Sequence, residues 1–179
     1  PATLVKDAQR RGVRFHPIDV QVSDWECTVP EDGGVRLGLR YVSDDRLGEG
    51  TVAPLSVRLN LVLKRIGQAP FWVRGAIRPR EVERNAREKI AEFDIRTPGS
   101  RTRVGTLSGG NVQKVVLARE LAGDPGLVVF NKPTHGLDVK NIGMDRERIQ
   151  SLDARGVGVV VISTDLDELI DLSDRVAVL

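Results

Sequence analysis

An α/β fold built on a parallel sheet is what this sequence predicts, and three observations carry the prediction. Helix-like and strand-like stretches alternate from about Arg80 to the C-terminus. The strand candidates "GLVVF" and "VGVVVIS" are continuous apolar runs, the pattern of strands buried on both faces of a parallel sheet. The segments between them are helical in period, as strand–helix–strand crossovers require.

Taken in order, the elements rest on local signals. "ATLVKDAQRRG" reads as a helix stopped by Gly12, "VRFHPIDVQVSDWECTV" as extended chain and "PEDGG" as a turn. "GVRLGLRYV" reads as a strand and "IGQAPFWVRGAIRP" as an irregular connector. In "REVERNAREKIAEFD", Val82, Ala86, Ile90 and Phe93 fall on one helical stripe. Ser108 suits the cap of a helix running to about Leu121, stopped by Gly123 and Asp124-Pro125. Ile142, Ile149 and Leu152 mark a further helix ended by Gly156. Asp165 with Glu168 three residues later resembles a capping box, and the cluster they form with Asp167 suits a helix N-terminus. "RVAVL" closes the chain as another strand.

Composition narrows the function classes. A chain of 179 residues suits one domain with a real core and is short for two. Its 27 basic and 25 acidic residues nearly cancel, so the pI near 9.0 reflects arginine usage, and no nucleic-acid partner is expected. Cys27 stands alone, which excludes an intramolecular disulfide and suits a reducing compartment. No apolar run approaches the roughly 18 residues of a membrane helix, and no signal-peptide pattern occurs. The chain opens "PATLVKD" without methionine and stops inside "DRVAVL", which reads as a piece of a longer protein.

The chemistry-bearing stretch is "TLSGGNVQKVVLAREL", Thr106 to Leu121. Glycines at a helix start let the backbone approach an anion, and the first free N–H groups and the helix dipole attract phosphate. Ser108 adds a hydroxyl. By itself the tripeptide is an ordinary capped loop. Its value comes from the segments C-terminal to it, an apolar strand, "PTHGLD", and "VVVISTDLDEL" in one order.

That series resembles the ATP-binding cassette (ABC) ATPases, and within them the second cassette of the ATP-binding subunits of carbohydrate and nucleoside importers. The resemblance covers about Tyr41 to Leu179, with "YVSDDRLGEGTVAPLSVRLNLVL" similar to the segment that contacts membrane subunits. It implies a partial ABC-ATPase fold, a parallel sheet with a helical subdomain carrying the signature motif. It implies ATP and Mg²⁺ shared with another cassette, transmembrane permease subunits as partners, and a cytoplasmic location on the inner face of the membrane. By the resemblance Ser108, Gly109 and Gly110, with Asn111 as the motif's variant position, would meet the γ-phosphate of ATP on the partner cassette. Asp138 would lie at the cassette interface, Asp44 would replace the glutamine that links ATP to the transporter, and Asn60 would belong to the same coupling region.

The sequence also departs from the family. No G-x-x-x-x-G-K-[ST] phosphate loop occurs in it. Asn131 stands at the position of the Mg²⁺-binding aspartate and brings no charge. Lys132 stands at the position of the general-base glutamate, where a cation cannot accept a proton. Two unit charges about 4 Å apart interact by roughly 4 kcal/mol at an effective dielectric near 20, so a lysine there repels a metal by that order. Thr164 stands at the position of the histidine that senses the γ-phosphate. The expectation is a degenerate nucleotide site of its own and a signature motif that still serves a neighbour; hydrolysis by the isolated chain is not expected.

Residues 1–40 differ in character. "PATLVKDAQRRGVRFHPIDVQVSDWECTV" resembles a segment of error-prone C-family bacterial DNA polymerases, without their catalytic carboxylates. The reading is a chimera joined near Arg40-Tyr41-Val42, with 41–179 as the C-terminal part of the cassette. A partner-binding module without catalysis and, more remotely, a repair-polymerase fragment are the alternative functions. His16 and His135 read as surface residues, Trp25 and Trp72 as packing anchors.

Overall fold

The computed structural model of the protein describes residues 38–123, 125–137 and 139–177, and the side chains of 139 and 140 are left aside. The expectations on the first 37 residues, on Asp124 and Asp138, and on the last two residues of "RVAVL" fall outside the described residues. The chain divides into two compact units, Asp45–Ala122 and the remainder.

In the unit formed by the remainder, three parallel strands make a sheet: β1 (Leu39–Val42), β4 (Leu127–Asn131) and β5 (Gly158–Ile162), in the order β1-β4-β5. Val42 sits opposite Phe130, and Phe130 opposite Val161. Because side chains alternate across a strand, Val42, Val128 and Phe130 share one face and are fully buried. The other face is open: Tyr41, Val160 and Ile162 are 42%, 44% and 51% exposed. The expectation of burial on both faces is therefore corrected. Among the described strands, the apolar run "VGVVVIS" lies at the sheet's edge with one face covered.

Helix α4 (Val139–Ala154) connects β4 to β5 and buries Ile149 and Leu152, with Gly156 at φ 81° ending it. Helix α5 (Leu166–Leu172) starts at Asp165, whose Oδ1 accepts from the N–H groups of Asp167 (3.0 Å) and Glu168 (3.2 Å). Arg146 reaches Asp171 at 2.6 Å and ties α4 to α5. Arg175–Ala177 make no strand, a second correction: after Ser173 they form no ladder with any described strand.

The unit Asp45–Ala122 is mainly helical. It holds α1 (Val57–Asn60), a 3₁₀ turn (Leu63–Arg65), the hairpin β2 (Trp72–Val73) and β3 (Ala76–Ile77), α2 (Pro79–Glu92), a second 3₁₀ turn (Val104–Thr106) and α3 (Gly109–Glu120). Pro79 opens α2, where its fixed φ fits and no N–H is missed. The stripe Val82, Ala86 and Phe93 is buried and Ile90 half-buried, as the period predicts. Val62, Phe71 and Val82 form a small core with Leu59 and Trp72 against it.

From Val112 to Glu120 every residue of α3 is buried, so the helix is enclosed on all sides. Its buried polar groups all find partners, as burial demands. Gln113 accepts from Arg46 Nε at 2.9 Å, and Lys114 donates to the Asp94 carbonyl at 2.9 Å. Glu120 takes Lys64 at 2.8 Å and two bonds from Arg119, whose Nη2 also donates to the Gly50 carbonyl at 2.6 Å. Asn60 is fully buried; its amide accepts from Val52 N–H and donates to the carbonyls of Val52, Leu55 and Ser56. It fastens the 52–56 loop from within.

Candidate functional site

Two clusters carry the residues singled out by sequence, one in each unit. The first is the start of α3. Ser108 has extended backbone (φ −65°, ψ 153°), so the chain turns into the helix there and leaves the first N–H groups facing outward. Asn111 N–H and Val112 N–H both go to the Ser108 carbonyl at 2.9 Å. The N–H groups of Gly109 and Gly110 have no acceptor among the described residues.

Ser108 occupies the cap position but makes no capping bond, which corrects the expected role of its side chain. Its Oγ instead accepts from Asn111 Nδ2 at 2.9 Å, and Asn111 Oδ1 accepts from Arg96 N–H at 2.7 Å. A hydroxyl that accepts from an amide keeps its hydrogen to donate. Asn111 therefore presets Ser108 as a donor beside two free backbone donors. A Cβ placed on Gly109 would meet only Arg46 Nη1, at 3.7 Å. The glycine is open toward a guanidinium, and the cluster is a cationic cradle for an anion. Sequence reasoning missed Arg46; its signal was a lone arginine two residues after Asp44, held from below by Gln113.

The second cluster lies at the carboxyl ends of the parallel strands, where open α/β sheets present their ligand crevice. Asn131 closes β4, and its Nδ2 donates to Asp44 Oδ1 at 2.8 Å and to Tyr41 Oη at 3.2 Å. Its Oδ1 takes no hydrogen bond among the described residues. Lys132 comes next with φ 45°, a left-handed conformation that lysine seldom adopts. That conformation is fixed by its N–H to the Ile162 carbonyl (2.7 Å) and by His135 N–H to its own carbonyl (3.1 Å). Thr164, just beyond β5, is exposed, as is His135. The structure thus brings Asp44 and Asn131 into contact and sets Lys132 and Thr164 at the same sheet end.

This arrangement does not fit a tightly held Mg²⁺. Mg²⁺ beside a nucleotide keeps several waters and takes one or two carboxylates for charge, and Asn131 brings none. The single carboxylate, Asp44, already accepts from Asn131. The next residue in the chain, Lys132, is itself a cation.

A parallel sheet and a helical unit whose main helix opens on Ser-Gly-Gly are an arrangement similar to that of the ATP-binding cassettes. The solved structures agree. The dimeric post-hydrolysis state of the ATP-binding cassette MJ0796 bound to ADP and Pi matches with a TM-score of 0.57 and 25% identity, over 73% of this chain and 53% of that one. The homologues are sugar and nucleoside import ATP-binding proteins. Glucose import ATP-binding protein TsgD13 of Haloferax volcanii is 41% identical over 143 residues, 79% of this chain and 26% of that protein. Nucleoside import ATP-binding protein NupA of Lactococcus lactis subsp. cremoris is 37% identical over 139 residues, 78% of this chain and 28% of that protein. Ribose import ATP-binding protein RbsA 1 of Burkholderia ambifaria is 38% identical over 169 residues, 90% of this chain and 31% of that protein. A match of that breadth reaches back before Tyr41. No protein-family model matches the chain. The chain spans between a quarter and a third of the length of these relatives. Among the described residues, no helix is long and apolar enough to cross a membrane.

Proposed function

We propose that this chain supplies the signature half of a nucleotide site in a sugar or nucleoside importer. Ser108, Gly109 and Gly110 would contact the terminal phosphate of ATP held by another cassette, and the segment from Asp44 onward would couple that contact to permease subunits at the membrane. The observation that carries the reading is the pair of unsatisfied N–H groups on Gly109 and Gly110 beside the Asn111-oriented Ser108 hydroxyl. Three donors and the Arg46 guanidinium match the charge and acceptor count of a phosphate.

The other half of such a site is not made by this chain. Asn131 and Lys132 supply neither the metal's charge nor a base, so the chain by itself binds no Mg²⁺ tightly and does not hydrolyse ATP. Asp44 and Thr164 then serve as polar lining of the degenerate site, and Asp138 keeps its proposed place at the cassette interface. The test is transport and ATP hydrolysis by a reconstituted importer whose subunit carries this segment. Ser108→Arg should abolish both, since a side chain of that length fills the cradle. Unchanged hydrolysis would leave the segment a partner-binding module, without a part in the nucleotide site.

A further inference from the structure

From Gly50 to Arg80 the sequence holds six cations and not one aspartate or glutamate. The structure turns part of that run into an exposed hairpin. Trp72 pairs with Ile77 and Val73 with Ala76, joined by Arg74 (φ 52°) and Gly75 (φ 78°). Positive φ at both central residues makes a type I′ turn, whose twist matches the strands it joins. The hairpin is anchored at its base. Phe71 is 3% exposed in the small core, Trp72 meets it edge-on at 6.5 Å, and the Arg65 guanidinium lies 4.7 Å from its ring centre.

Beyond that anchor the apolar side chains point into solvent: Ile66 is 63%, Val73 39% and Ile77 42% exposed. Three of the six cations are engaged, Lys64 with Glu120, Arg58 with Glu83 and Arg65 on Phe71. The guanidinium groups of the other three, Arg74, Arg78 and Arg80, make no hydrogen bond or ion pair among the described residues. They flank the exposed Val73 and Ile77 along the chain. The pairing puts Val73 on one face of the ribbon and Ile77, with Trp72, on the other, so the exposed apolar side chains and the cations gather around the hairpin's end and not on one face. The absence of any acid over the whole run selects an anionic partner.

We infer that the Ile66–Arg80 hairpin docks on an anionic phospholipid surface. The hairpin enters the headgroup boundary end-first, with Val73 on one face and Ile77 on the other, and Arg74, Arg78 and Arg80 meet lipid phosphates. Small apolar insertions combined with cations give reversible, charge-selective attachment. The half-buried Trp72 suits the boundary, with one edge packed and the other at the polar–apolar interface. This contact needs neither nucleotide nor permease, so it stands or falls separately from the importer reading.

The test is co-sedimentation of the full chain with sucrose-loaded vesicles, one set of phosphatidylcholine alone and one of phosphatidylcholine mixed with phosphatidylglycerol. The chain should pellet with the mixed vesicles, not with the neutral ones, and should be released by salt. Arg74→Asn, Arg78→Gln and Arg80→Gln should each weaken partitioning about fivefold. Val73→Ser with Ile77→Ser should weaken it on the mixed vesicles while leaving the salt dependence in place. All five positions are exposed, so circular dichroism and melting of the variants should match the parent chain. Equal pelleting on neutral and mixed vesicles, or no loss in any of the three arginine variants, overturns the inference. Failure of the parent chain to pellet overturns it too, and returns the hairpin to an acidic protein partner.

Discussion

Replacing Glu120 by glutamine removes a negative charge from a place that water does not reach. The residue is fully buried, and its carboxylate takes Lys64 Nζ at 2.8 Å and Arg119 through Nη2 at 2.8 Å and Nε at 3.0 Å. Two opposite charges about 4 Å apart attract by roughly 4 kcal/mol at an effective dielectric near 20, and desolvation offsets much of that while both partners are present. With the carboxylate gone, Lys64 can turn to water, since its side chain is 30% exposed. Arg119 cannot, because its side chain is 6% exposed and its Nη2 is fixed to the Gly50 carbonyl. An uncompensated buried charge costs about 3–5 kcal/mol. In a small unit that corresponds to a fall in melting temperature of at least about 12 °C. Urea unfolding of the full chain, followed by circular dichroism, should rank Glu120→Gln well below Lys64→Met. Adding Arg119→Met to Glu120→Gln should recover part of the loss, because it removes the stranded charge. A Glu120→Gln chain within about 1 kcal/mol of the parent, at an unchanged slope, would refute the reasoning.

Gly109→Ala should leave folding intact, since its Cβ meets nothing nearer than Arg46 Nη1 at 3.7 Å, and under the proposed function it should lower ATP hydrolysis of the reconstituted importer by narrowing the anion's approach. The Glu83 carboxyl is held below its ordinary value of 4.5, first by the Ser100 hydroxyl and then by Arg58 and Arg87. A depressed carboxylate stabilises the fold above its ordinary pKa and loses that contribution as pH falls through the lower folded value. A carboxyl NMR titration should therefore find the Glu83 midpoint below the ordinary glutamate value, and Ser100→Ala should move it upward. Asn131→Asp combined with Lys132→Glu should not create hydrolysis in the isolated chain, because restored acids without a phosphate loop have no nucleotide to act on; a phosphate-release assay above background would contradict this.

Much of the fold was legible in the sequence because helices announce themselves by period and caps. The Val82–Phe93 stripe and the Asp165 cap are local patterns, and the structure keeps both. The hairpin at Trp72–Ile77 escaped notice because two-residue strands are too short to show alternation. Its one signal was Arg74-Gly75 between apolar pairs. The open face of β5 was misread for a different reason: an apolar run does not say whether anything covers its second side. At the site, Ser108 to Asn111 were legible as a motif. Arg46 and the Ser108–Asn111–Arg96 relay were not, since they depend on contacts between segments distant in sequence.

Under the proposed function Ser108–Asn111 act as a signature motif while Asn131 and Lys132 stand where acids are expected, and the structure places the two clusters in different compact units. The hydrogen bonds that shape the start of α3 among the described residues include several from residues 46–120: Asn111 and Arg96 orient Ser108, Gln113 holds Arg46, and Arg119 and Glu120 fasten the far end of the helix. Asn131 and Lys132 belong to the other compact unit and take their geometry from Asp44, Tyr41 and Ile162. Loss of charge at the end of β4 therefore removes no hydrogen bond from the cradle at α3. The amide at Asn131 even keeps the sheet end intact, because its nitrogen gives Asp44 a donor where an aspartate would have placed a second carboxylate against it. The hydrogen bonds cited at each cluster lie within its own unit, so Asn131→Asp or Lys132→Glu should alter the sheet end without removing any of those bonds at the start of α3.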